Sequence, residues 1–275
     1  MRRLLLILIP LLLLIGLIVW ALALDLLPPD VVRADAGELV YVATFDDFLD
    51  EWELYDDGQL SAQVETGQLR LDVQTPDSTP YSVAQPHFGD FDLRVRAQAL
   101  EGPLDNAYGV IFRLRQPRSR EGAATWVGLL RRQVENVFFE PLEQASHYRF
   151  LVSSDGYYSV WREVDGVEKK LSDWIDTPIV NQGFDMPNDL RVVALGDRFQ
   201  FYINDQAVPV CIPDDPNGIS TYVMDTCIQG TLQDTLVDGS IASGQLGVVA
   251  QSFAEPGVMV EFDNLLVYAP QVLNE

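Results

Sequence analysis

From residue 39 to residue 268, apolar side chains recur at every second position in short runs, and Gly, Asp, Asn or Pro closes each run. That period is the pleat of a β-strand, where successive side chains point to opposite faces, and it differs from the helical repeat. The runs are Leu39–Phe45, Gln68–Val73, Phe91–Ala99, Tyr108–Arg115, Thr125–Arg131 and Asn136–Leu142, then Tyr148–Ser153, Tyr157–Val164, Leu190–Leu195, Phe199–Ile203, Gln245–Ala250 and Val258–Tyr268. Ser154-Asp155-Gly156, Asp165-Gly166, Leu195-Gly196-Asp197 and Asn204-Asp205 lie between such runs. These are the residues that tight hairpins favour. Many strands at short spacing predict an all-β, antiparallel two-sheet sandwich or jelly roll. No internal repeat or second linker breaks the pattern, so residues 39–270 are expected to form one domain and 271–275 a tail. The longest stretch without a strand period, Pro209–Ser243, reads as an ordered loop.

The amino terminus is of another kind. After Met1-Arg2-Arg3, the run Leu4–Leu24 carries no charge. As a helix it would be about 31 Å long, enough for a bilayer core. Residues 1–24 are therefore expected to be a single-pass transmembrane anchor. The arginines keep the amino end cytoplasmic and place the rest outside the cell membrane. The alternative is a cleaved signal peptide, for which Ala21-Leu22-Ala23 offers a cleavage site. Residues 25–38, with Pro28-Pro29, read as a stiff spacer.

Hydrophobic residues make up 48% of the chain, enough for a substantial core. The formal charge is −23, and both leading arginines lie before the apolar run, so the external part is more acidic still. Such a surface repels phosphate, which argues against nucleic acid and anionic headgroups as partners. Cys211 and Cys227 lie in a compartment where disulfides persist. They are expected to pair, closing a loop of about 15 residues worth about 3 kcal/mol, with two free thiols as the alternative.

Phe45-Asp46-Asp47-Phe48 with Trp52, Gly67-Gln68-Leu69, Phe91-Asp92-Leu93-Arg94-Val95, Tyr108-Gly109-Val110-Ile111-Phe112-Arg113, Asn188-Asp189-Leu190-Arg191-Val192, Phe201-Tyr202-Ile203-Asn204-Asp205, Gly244-Gln245-Leu246-Gly247-Val248 and Phe262-Asp263-Asn264-Leu265 occur in that order. This series resembles the concanavalin A-like lectin/glucanase superfamily, especially bacterial 3-keto-disaccharide hydrolase-like domains. The resemblance implies a concanavalin A-like jelly roll with adjacent terminal strands and any ligand on its concave face. It does not imply an activity, because one fold hosts many functions. Pro209–Ser243 is longer than the corresponding connection in such relatives.

A glycosidase needs two carboxylates in one cleft, about 5 to 5.5 Å apart for a retaining mechanism. The Glu-x-Asp-x-x-Glu strand of glucanase members is absent. Glu261 and Asp263 share a strand face but sit in the terminal strand, while Glu135 and Glu140 would point to opposite faces. His87 and His147 have no metal-ligand spacing and read as surface or strand-end residues. No catalytic residue is assigned.

The resemblance further implies a structural calcium ion where the terminal strands meet. Asp46 and Asp263 match those positions, and carboxylates suit calcium. The alternative is that Asp46 caps a turn and Asp263 bonds to backbone amides. Asp214, Asp215 and Asn217 read as a turn. No cofactor is expected to be essential.

Sugars are bound by aromatic faces with polar side chains beside them. Trp126, Trp161 and Trp174 lie in or beside central strands, with Arg113, Tyr157 and Glu163 in the same set. Tyr157, Ser159, Trp161 and Glu163 share one face, although tryptophans in such strands also serve as core. Arg113, opposite Val110, Phe112 and Leu114, is expected to leave the core. The leading expectation is a membrane-anchored, extracellular module that binds carbohydrate without catalysis. The alternatives are a sugar hydrolase, or an ectodomain that binds a protein through an apolar patch near Ile219–Met224.

Overall fold

The computed structural model describes Gly16 and residues 30–46, 51–116 and 144–271. The expected anchor apart from Gly16, residues 25–29 of the spacer, the runs Thr125–Arg131 and Asn136–Leu142, and Trp126 lie outside these residues. Among the described residues no helix is long and apolar enough to cross a membrane.

The described residues from Val31 onward form one compact unit. Its strands are β1 (Val31–Val32), β2 (Leu39–Ala43), β3 (Tyr55–Asp56), β4 (Leu60–Glu65), β5 (Gln68–Val73), β6 (Tyr81–Phe88), β7 (Phe91–Glu101), β8 (Ala107–Arg115), β9 (Ser146–Ser153), β10 (Tyr157–Val164) and β11 (Val167–Asp176). They continue with β12 (Asn188–Leu195), β13 (Arg198–Ile203), β14 (Gln206–Val208), β15 (Val210–Pro213), β16 (Thr221–Val223), β17 (Thr226–Ile228), β18 (Gly230–Gln233), β19 (Leu236–Val237), β20 (Gly244–Gln251) and β21 (Val258–Tyr268). One sheet has the order β1-β6-β20-β8-β9-β10-β11, and the other β14-β13-β12-β7-β21-β5-β4-β3, with β19 on β13 and β2 on β21. All described pairings are antiparallel except β1 with β6.

Alternation builds the interior. On β7, Phe91, Leu93, Val95, Ala97 and Ala99 are buried, while Arg94 and Arg96 point outward. Between the sheets Phe112 stacks on Tyr148 with ring centroids 5.3 Å apart, and it meets Phe91, Phe199 and Phe201. Hairpin chemistry fixes the registers: Asp165 and Gly166 join β10 to β11 with φ of 50° and 75°, and Asn204 and Asp205 join β13 to β14 with φ of 50° and 62°. Both central residues at positive φ is the turn whose twist suits a hairpin.

The seven-stranded sheet has apolar side chains on both faces. Val83, Ile111, Leu114, Leu151 and Val249 form a second cluster on its outer side, joined by Tyr81, Trp161, Trp174 and Phe253. Its middle strands pack closely. A Cβ on Gly109 would lie 2.0 Å from the Phe150 carbonyl oxygen, and one on Gly247 2.1 Å from that of Ser82.

The stretch Pro209–Ser243, expected to be an ordered loop, is ordered but built of short strands. β15 pairs with β18 and β16 with β17, and the expected Cys211–Cys227 disulfide links β15 to β17. β15 and β16 lie against β11. The Cys211 N–H donates to Ser172 Oγ at 2.9 Å, and the Tyr158 hydroxyl donates to the Pro209 carbonyl at 2.6 Å.

Candidate functional site

The outer face of the seven-stranded sheet gathers most of the side chains suited to recognition. In the β9–β10 register Arg149 lies opposite Trp161, and His147 opposite Glu163. Tyr148, Phe150 and Val152 point into the sandwich. His147, Arg149 and Leu151 must therefore point outward, as must Ser159, Trp161 and Glu163. On β11, Lys170 lies opposite Trp161 and Glu168 opposite Glu163.

Trp161 is partly exposed, and its indole N–H donates to Ser159 Oγ at 2.7 Å, which holds the ring plane. Lys170 Nζ stands 5.0 Å from the ring centroid and the Arg149 guanidinium 5.7 Å, both within cation–π range. Lys170 is paired with Asp173 at 2.6 Å, and Arg149 Nη2 with the Glu168 carboxylate. The result is a fixed aromatic plane ringed by charged groups.

Burial sets the protonation states. His147 is 6% exposed, and burial lowers it to about 3, with Arg149 pushing the same way; its imidazole is neutral and Nδ1 has no partner. Arg149 is 3% exposed and its Nε is also unpartnered. Partial burial raises the Glu163 carboxyl, which Arg149 opposes and Glu168 reinforces. Tyr81 is raised by burial, then by Glu53 and Glu163. Tyr81 is on β6 and Glu163 on β10, four places away in the sheet.

The other expected residues fall as follows. Tyr157 is 38% exposed at the start of β10. Trp174 is partly buried and meets Phe253 edge-on at 6.4 Å. Arg113 does not leave the core. One extra residue at this point of β8 shifts the pairing with both β9 and β20, and Arg113 takes φ 52°. This bulge turns it inward and sends Leu114 to the outer cluster. Arg113 is 1% exposed, lies over Phe199 at 4.8 Å and donates to the carbonyls of Gly89, Gly196 and Ile241. It serves packing, not a cleft.

His147, expected at the surface or at a strand end, is the second residue of β9 and hence at a strand end, but at 6% exposure it is not at the surface. Sequence reasoning missed His147, Arg149 and Lys170 as site residues. The usable signal was the alternation His147, Arg149, Leu151 against Tyr148, Phe150, Val152, which makes β9 two-faced.

Glu261 is held by Arg70 at 2.6 Å and by Gln98, on the outer side of the larger sheet. At the expected calcium position, partial burial raises the Asp263 carboxyl, the Asn264 backbone amide opposes this and the Asp46 charge adds to it. Asp263 Oδ2 accepts from Asn264 Nδ2 at 2.7 Å. Among the described residues no group of three or more His, Cys, Asp or Glu side chains is placed to hold a metal.

The sequence matches no protein-family model and no curated protein. Among solved structures, the chain is similar to a Bacillus subtilis protein of unknown function with a galectin-like fold. Identity there is 11%, with 86% of this chain and 97% of that one covered and a TM-score of 0.53. A carbohydrate-binding module, CBM66 from Bacillus subtilis, aligns at 15% identity over 78% and 93% of the two chains, with a TM-score of 0.46. A Bacillus licheniformis β-glucanase aligns at 9% identity over 87% and 100%, with a TM-score of 0.45. The first of these shows the fold to be galectin-like, in keeping with the two antiparallel sheets described above.

Proposed function

We propose that this chain binds carbohydrate on the outer face of its seven-stranded sheet without turning it over, and that residues 4–24 hold it at the cell membrane. Trp161 carries the reading. A partly exposed indole, its plane fixed by Ser159 and ringed by Arg149, Lys170 and Glu163, offers an apolar surface to sugar C–H groups beside donors and acceptors for hydroxyls. The uncharged run after Arg2 and Arg3 supports the anchor.

The test is a glycan-array and hydrolysis screen of the full chain, with and without calcium, for wild type and Trp161→Ala. Wild type should bind without releasing product, and Trp161→Ala should weaken binding by about ten-fold or more while its cooperative unfolding transition shows that the domain is still folded at the assay temperature, since Trp161 also packs on the outer cluster. If Trp161→Ala binds as well as wild type, the reading is wrong. Dependence on calcium would assign a metal to Asp46 and Asp263. Glu163 and Glu168 stand opposite each other, so a hydrolase is the second reading, and product release would select it. Silence in both arms would shift attention to the disulfide hairpin, where Ile219, Val223 and Met224 are exposed.

A further inference from the structure

Three polar groups on the face that carries Trp161 have no protein partner to satisfy them. His147 Nδ1 and Arg149 Nε are buried without a hydrogen bond, and among the described residues Glu163 makes neither a hydrogen bond nor an ion pair. The register joins them: His147 is opposite Glu163, and Arg149 is opposite Trp161 between them. Buried polar atoms left unpaired cost free energy, so a molecule that supplies their partners is favoured. Arg149 Nε can only donate, the Glu163 carboxylate accepts, and a neutral imidazole can do either. Neighbouring hydroxyls on one sugar ring fit that set, one donating to Glu163 and the next accepting from Arg149 Nε–H.

Charge narrows the choice. Both cations beside Trp161 are already matched, Arg149 by Glu168 and Lys170 by Asp173. Glu163 has no ion pair of its own and is only partly offset by Arg149, in a chain of formal charge −23. An acidic sugar would bring a second negative charge to a partly buried one.

Resting on the carbohydrate reading above, we propose that this site selects neutral sugars, held by hydroxyls between Glu163 and Arg149, and rejects sugars bearing a carboxylate. The experiment measures dissociation constants of the full chain by NMR titration for matched pairs of methyl glycosides and methyl glycuronosides of glucose, galactose and mannose. Wild type and Glu163→Gln are compared; Gln keeps the shape and an acceptor and removes the charge. Wild type should prefer the neutral member by about ten-fold, and Glu163→Gln should bring the pair within about three-fold of each other. Wild-type binding of the acidic member as tight as the neutral one overturns the proposal. So does a preference that Glu163→Gln leaves unchanged, although the carbohydrate reading then stands if Trp161→Ala still weakens binding by about ten-fold or more. Failure of every sugar to bind removes that reading and this one together.

Discussion

A histidine with its pKa near 3 makes folding itself sensitive to pH. Above its ordinary value of 6.5, His147 is neutral in both the folded and the unfolded chain and contributes no pH dependence. As pH falls below 6.5 the unfolded chain takes up a proton that the folded one refuses until about 3. Stability should therefore decline across that window, by at most about 1.4 kcal/mol per pH unit from this group. Asp92, held below the ordinary carboxylate range by Arg191 and Arg94 against the opposing effect of burial, weakens the fold in acid as well. The diagnostic quantity is thus the difference between wild type and His147→Asn in urea midpoint from pH 7 to pH 4. The wild type should lose more, and parallel curves would show that His147 is protonated in the fold. At this scale the sequence was partly legible. Alternation on β10 placed Ser159, Trp161 and Glu163 on one face, because it needs only the strand period. The burial of His147 depends on what lies across the sheet, which no local pattern contains.

The strand with the least regular backbone shows where pattern reading fails at the level of elements. Strict alternation along β8 sends Arg113 outward and Leu114 inward, and one inserted residue reverses both. Nothing in Phe112-Arg113-Leu114-Arg115 announces the bulge, since Arg at positive φ is rare and the conformation is maintained by distant carbonyls. The same reasoning fixes its importance. Arg113→Met would leave the carbonyls of Gly89, Gly196 and Ile241 without their side-chain donor at one end of the sandwich. A loss of about 3 kcal/mol or more is expected, read as a lower urea midpoint at constant slope. A loss below about 0.5 kcal/mol would mean that water replaces the guanidinium and that the bulge holds itself. Most main strands were legible, as were the Asp165-Gly166 and Asn204-Asp205 hairpins, but β4, β6 and β11 were not among the expected runs. The small sheets of residues 209–243 were not, because strands of three or four residues carry too few positions to show a period, and the disulfide and the contacts with β11 stabilise them instead.

For the molecule as a whole, composition constrains stability more directly than it constrains function. Even if every Lys and Arg side chain were paired, the net charge of −23 would remain as unmatched carboxylates. Their mutual repulsion acts across the whole surface and favours the expanded, unfolded chain. Raising sodium chloride from about 10 mM to about 150 mM shortens the screening length from about 30 Å to about 8 Å. Repulsion between carboxylates on opposite sides of the domain is then largely removed. The same salt weakens exposed pairs such as Arg96–Asp189, whose side chains are about half exposed. Such pairs are worth about 1 kcal/mol or less each, and the Arg70–Glu261 pair is shielded by the near-complete burial of its acid. Long-range repulsion should therefore dominate. The urea midpoint of the full chain, followed by tryptophan fluorescence, should rise with sodium chloride while the slope stays constant. Sodium and potassium should act alike, because screening does not discriminate between them. A midpoint that falls with salt would mean that local ion pairs, and not global charge, govern the balance. A rise with one cation only would mean that a specific site, with Asp46 and Asp263 the first to test, takes up that ion.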